Sequence, residues 1–146
     1  MGIAERWKRF PALPQDIEEA LGRLTPLFER EGVLLAYLFG STRQGQAGQD
    51  VDLAILRGDE PVFRLREAIM EALGTQRVDL VDLRSAPPVL RFEIISTGRP
   101  LYAVSAEARE HFELDTLHLY RDTAPLRRQQ RKYLKERMAE WRSDVQ

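Results

Sequence analysis

Apolar positions along this chain follow two rhythms, one helical and one extended. Between Gln15 and about Glu31, the residues Ile17, Ala20, Leu21, Leu24, Leu27 and Phe28 recur at helical spacing, with Thr25-Pro26 placed to kink or divide the helix. Val33 to Phe39 is apolar throughout and bounded by glycines, which predicts a central strand covered on both faces. Asp50 to Leu56 reads as a second strand and Val78 to Leu83 as a third. Residues 61 to 73 carry Val62, Leu65, Ile69, Ala72 and Leu73 on one face, a helix closed by Gly74. A further helix is expected from near Pro87, after a Ser85 cap, to Gly98, followed by a short edge strand from Leu101 to Val104. Together these elements predict a mixed α/β (α+β) domain.

The two ends differ from this middle. Residues 1 to 13 carry Trp7 and Phe10 among charges and read as an N-terminal arm. Ser105 is placed to cap a helix from Ala106 to about Arg121, and Pro125 to open another running to about Trp141. The second of these has a sparse apolar stripe, Leu126, Tyr133, Leu134, Met138 and Trp141, amid many basic residues. Such a stripe is expected to pack on the chain's own domain; the other reading is a partner surface. The expected organisation is therefore an arm over 1–13, a catalytic unit over 14–104 and a helical extension over 105–146.

Composition narrows the function classes. The chain has 146 residues, 43% hydrophobic and 31% charged, with a formal net charge of −1. That size suits one domain, and that balance offers no global attraction to nucleic acid or to an anionic membrane. No cysteine is present, which excludes disulfides and thiolate metal sites. No apolar run reaches a membrane span and no signal-peptide core appears, so a cytoplasmic protein is expected.

Candidate chemistry concentrates between Phe39 and Leu56. Asp50 and Asp52 stand one residue apart at the start of a strand, so both carboxylates project from one face. At an effective dielectric near 20, two such charges about 4 to 5 Å apart repel by roughly 3 to 4 kcal/mol, which argues for a bound cation or a pKa shift rather than a bare pair. An oxygen-only ligand set points to Mg²⁺ or Mn²⁺. Just upstream, Gly40 lets the backbone turn and approach a ligand, and Ser41 reads as the N-cap of a short helix ending near Gly45. A helix start of that kind seats phosphate oxygens. His111 and His118 lie seven residues apart on a polar helix and read as surface residues, while Trp7, Tyr120 and Trp141 read first as packing residues.

The pattern Gly40-Ser41, then Gly45, then Asp50-Val51-Asp52-Leu53 resembles the minimal nucleotidyltransferases (MNT) of the DNA polymerase beta-like superfamily. Within it the nearest likeness is to the MNT antitoxins encoded beside HEPN toxins. The likeness extends through Arg77 to Leu83, Leu90 to Gly98, Pro100-Leu101-Tyr102 and Tyr120-Arg121-Asp122, and so covers most of residues 33 to 122. It implies the polymerase beta-like fold, a small mixed sheet flanked by helices. It also implies that Gly40, Ser41 and Arg43 hold the triphosphate of ATP, and that Asp50 and Asp52 bind Mg²⁺. The third carboxylate is matched to Asp79, with Asp82 second. The implied reaction is transfer of AMP to a tyrosine hydroxyl of a cognate HEPN ribonuclease toxin. The loop from Gly45 to Gln49 is shorter than the family commonly has, which leaves a rival open: an antitoxin that neutralises its partner by contact alone. Homo- and hetero-oligomers both fit the sequence.

Overall fold

A computed structural model describes residues 16–40 and 50–145. The N-terminal arm with Trp7, together with Ser41, Arg43 and the expected short helix, lies outside the described residues. Two short helices, α1 (Ile17–Gly22) and α2 (Leu24–Arg30), lead into β1 (Val33–Phe39). After β2 (Val51–Arg57), a 3₁₀ turn (Val62–Leu65) runs into α3 (Arg66–Leu73) and then β3 (Val78–Asp82). Then come α4 (Pro88–Thr97), β4 (Arg99–Ala103), α5 (Ala106–Asp122) and α6 (Ala124–Val145). The strands form one sheet in the order β3-β2-β1-β4, with β1 antiparallel to β2 and β4, and β2 parallel to β3. No described helix is long and apolar enough to cross a membrane.

β1 is apolar at every position because it is covered on both sides. Val33, Ala36 and Leu38 join one core with α1, α2 and α3, whereas Leu35 and Tyr37 join a second with Ile94 of α4 and Phe112 of α5. A register shift between Val33 and Leu35 reconciles Val33 with the even-numbered side. On β2 the alternation is regular: Val51, Leu53 and Ile55 face the first core and Ala54 the second. Tyr37 donates a hydrogen bond from its hydroxyl to Glu113 Oε1 at 2.8 Å, and Arg109 Nε donates to the same oxygen at 2.9 Å. Burial, then the bond to Glu113, pushes the Tyr37 phenol well above its ordinary pKa. It remains a neutral donor that ties the central strand to α5.

Local signals placed the elements well, with four corrections. The first helix divides at Arg23 rather than at Pro26, which sits in the first turn of α2 where a missing N–H costs nothing. The helix expected over 61–73 opens as a 3₁₀ turn and becomes α-helical only from Arg66, ending at left-handed Gly74. Ser85 does not cap α4, whose first residue follows extended Pro87; the Ser85 hydroxyl instead donates to the Asp82 carbonyl at 3.4 Å. β4 starts at Arg99, two residues early, because Gly98 leaves α4 in an extended conformation and feeds straight into the strand. Ser105 does cap α5, its Oγ accepting from the Ala108 N–H at 3.0 Å.

Among the described residues, the expected packing of the last helix on its own domain is seen only at its start, where Arg127 lies over the Tyr120 ring. Every residue from Arg128 to Arg142 is exposed, including Trp141, which is therefore not a packing residue. Tyr120 does pack, stacked on Phe92 with ring centroids 3.9 Å apart. One turn after Phe112, the fully buried Thr116 hydroxyl finds no hydrogen-bond partner among the described residues. Thr116→Val removes that unpaired group at nearly constant volume and is expected to raise stability by about 1 kcal/mol, read as a higher midpoint in chemical unfolding.

Candidate active site

The parallel pairing of β2 with β3 puts Asp52 directly beside Asp79, after Val51 beside Val78. Val51 and Val78 are fully buried in the first core, so the alternation of the pleat turns Asp52 and Asp79 to the opposite face of the sheet. Asp50 immediately precedes β2 with the same parity as Asp52, and its surroundings leave it 5% exposed. The Val51 N–H donates to the Arg77 carbonyl at 2.7 Å, which locks the register at the very start of both strands. One carboxylate oxygen from each of Asp50, Asp52 and Asp79 then lies within 4.8 Å of the others.

Three carboxylates that close form a strong negative focus with only oxygen to offer. That donor set fits a hard divalent cation and suits neither thiophilic nor imidazole-preferring metals. Asp82 does not join the cluster. It stands three residues further along β3, in register with Ile55 and on the other parity, and its Oδ1 accepts from the Arg84 N–H at 2.9 Å. His111 and His118 are exposed on α5, in line with the surface reading.

Gly40 ends β1 beside this cluster, with φ of 76°. A Cβ added there would collide with Oδ2 of Asp52. The glycine is thus required by the carboxylate as well as by the turn, a reason that sequence reasoning missed because the contact spans two strands. Arg77 is a second such residue. It directly precedes β3, and its carbonyl accepts the Val51 N–H that holds the two aspartate-bearing strands in register. Its only sequence signal was its place before Val78-Asp79-Leu80.

Comparison with known proteins agrees with this geometry. The polymerase beta nucleotidyltransferase family matches residues 23–107. Over 92 residues the chain is 36% identical to protein adenylyltransferase MntA of Shewanella oneidensis; the match takes in 59% of this chain and 65% of that relative, a little under two thirds of its length. Among solved structures, a toxin-antitoxin crystal structure with AMP-PNP superimposes with a TM-score of 0.64 at 29% identity, covering 81% of this chain and 98% of the matched one. A complex of tri-AMPylated Shewanella oneidensis HEPN toxin with its MNT antitoxin gives a TM-score of 0.63 at 26% identity, covering 84% and 98%. The family match spans all four strands and all three clustered aspartates, and the chain belongs to the polymerase beta-like nucleotidyltransferase family.

Proposed function

We propose that this protein is a divalent-cation-dependent nucleotidyltransferase that moves AMP from ATP to a hydroxyl of another protein, a tyrosine of a cognate HEPN toxin, and so acts as its antitoxin. The observation that carries this reading is the convergence of Asp50, Asp52 and Asp79 within 4.8 Å at the strand ends beside Gly40. The likeness to a protein adenylyltransferase and to a complex containing an AMPylated toxin supports the substrate class.

In the proposed reaction the acceptor oxygen forms a bond to the α-phosphorus of ATP, the bond to the β-phosphate oxygen breaks, and pyrophosphate departs. Asp79, the third carboxylate of the cluster, would ligand one of the ions and accept the proton from the attacking hydroxyl. Asp50 and Asp52, with Asp79, would hold Mg²⁺, or Mn²⁺ in its place, which when bound supplies charge stabilisation at the attacking and leaving oxygens. Gly40, Ser41 and Arg43 are the proposed grip on the β- and γ-phosphates. Residues 14–104 supply the chemistry in this scheme and 105–146 the partner surface.

Incubating the HEPN partner with this protein, ATP and MgCl₂, then separating the two, is expected to leave the partner heavier by one or more AMP groups by intact-protein mass spectrometry. A second reading, neutralisation by contact alone, is favoured by the exposure of α6 from Arg128 to Arg142. Under that reading the partner keeps its mass although the complex forms.

A further inference from the structure

We propose that α6 docks the acceptor protein, laying its apolar stripe into a groove of that protein rimmed by carboxylates. This rests on the reading that the acceptor is a protein. α6 is 22 residues long, and the apolar side chains Leu126, Tyr133, Leu134, Met138 and Trp141 are 55 to 69% exposed. Their spacing by three, four and seven residues puts them on one face of the helix. A stripe of that length which none of the described residues covers is a helix-in-groove ligand in form.

Charge decides what covers it. α6 carries seven basic and three acidic side chains in a chain whose net charge is −1, so positive charge is concentrated on this one element. Arg137 lies inside the stripe, four residues before Trp141 and eleven after Leu126, and Arg131, Lys135 and Arg142 follow one edge. A parallel second copy of this helix would set Arg137 against another Arg137 across the seam, and an antiparallel one would bring the two Arg131, Lys135 and Arg142 edges together, like-charge contacts either way. A groove with carboxylates facing Arg137 and the basic edge satisfies both the apolar and the charged positions. Nucleic acid would match the basic edge but leave Leu126, Leu134 and Met138 against phosphates.

The helix is also aimed. Phe92 of α4 stacks on Tyr120 of α5 at an interplanar angle of 10°, and the Arg127 guanidinium lies 3.7 Å over the Tyr120 ring. Arg127 Nη1 donates to the Tyr120 carbonyl at 2.7 Å and to the Thr123 hydroxyl. α6 is thereby rooted on α4 and α5, the helices that pack on the second core, and Asp52 and Asp79 project from that same face of the sheet. Docking element and carboxylate cluster share a side of the molecule.

The test uses the full chain and the purified HEPN partner in calorimetric titration and in AMP-transfer kinetics with the partner varied. Leu134→Glu with Met138→Glu is expected to weaken binding by about 100-fold or more and to raise KM for the partner with kcat unchanged. Arg137→Glu is expected to weaken it by about tenfold, more at low salt. Lys132→Ala, on the opposite face, binds as wild type, and all variants bind AMP-PNP as wild type. Wild-type partner affinity in both stripe variants overturns the proposal. So does a wild-type dimer, seen by sedimentation without partner, that Met138→Glu dissolves. Partner binding that needs α6 but leaves no AMP on the partner keeps the docking role and removes the catalytic reading; AMP transfer with an unchanged KM in Leu134→Glu/Met138→Glu does the reverse.

Discussion

Replacing Asp50 and Asp52 together by asparagine is expected to lower AMP transfer by at least about 1,000-fold while the protein stays folded. Asparagine keeps the shape of each side chain and removes its charge, so the cluster loses two of the three anionic ligands that converge within 4.8 Å. The same change has an opposite sign on stability without metal. Carboxylates about 4 to 5 Å apart repel by roughly 3 to 4 kcal/mol at an effective dielectric near 20, and the double variant relieves that repulsion. Thermal unfolding without divalent ions is therefore expected at a higher temperature than in the wild type. Adding MgCl₂ should raise the wild-type midpoint and leave the variant unmoved. Undiminished AMP transfer in this variant would end the catalytic assignment, and an equal magnesium response in both proteins would end the metal assignment.

The second large effect is expected at Gly40. Gly40→Ala meets two penalties at once: a left-handed backbone with φ of 76°, and a Cβ that collides with the Asp52 carboxylate. The backbone term costs about 1 kcal/mol or more. Relief of the collision requires Asp52 to move, and a displacement of about 1 Å at a reacting centre lowers turnover by about 100-fold. A Mn²⁺ titration of AMP transfer by Gly40→Ala should show both a lower maximum and a weaker metal dependence. Wild-type turnover with wild-type metal dependence would mean that Asp52 is not the group that Gly40 accommodates.

Much of the candidate site was legible because its signals are local. The parity of Asp50 and Asp52 follows from the strand period alone, and the apolar run from Val33 to Phe39 announced a strand buried on both faces. Asp79 and Asp82 stood on opposite parities of β3, and alternation cannot say which parity faces a neighbour that has not yet been placed. The splitting of the first helix at Arg23 escaped notice because proline in a first turn looks the same in sequence as proline that breaks a helix. Ser85 carried a cap's chemistry but lies too far before Pro88 to reach the helix start.

What this sequence determined by itself is the set of elements, the shared face of Asp50 and Asp52, and the glycine that ends β1, since periodicity and turn chemistry act over a few neighbouring residues. Only the tertiary structure decided that Asp79 sits beside Asp52, that a side chain at position 40 would strike that aspartate, and that none of the described residues covers α6 from Arg128 to Arg142. Each of those depends on strand register or on burial, and both are set by contacts between segments far apart in the chain.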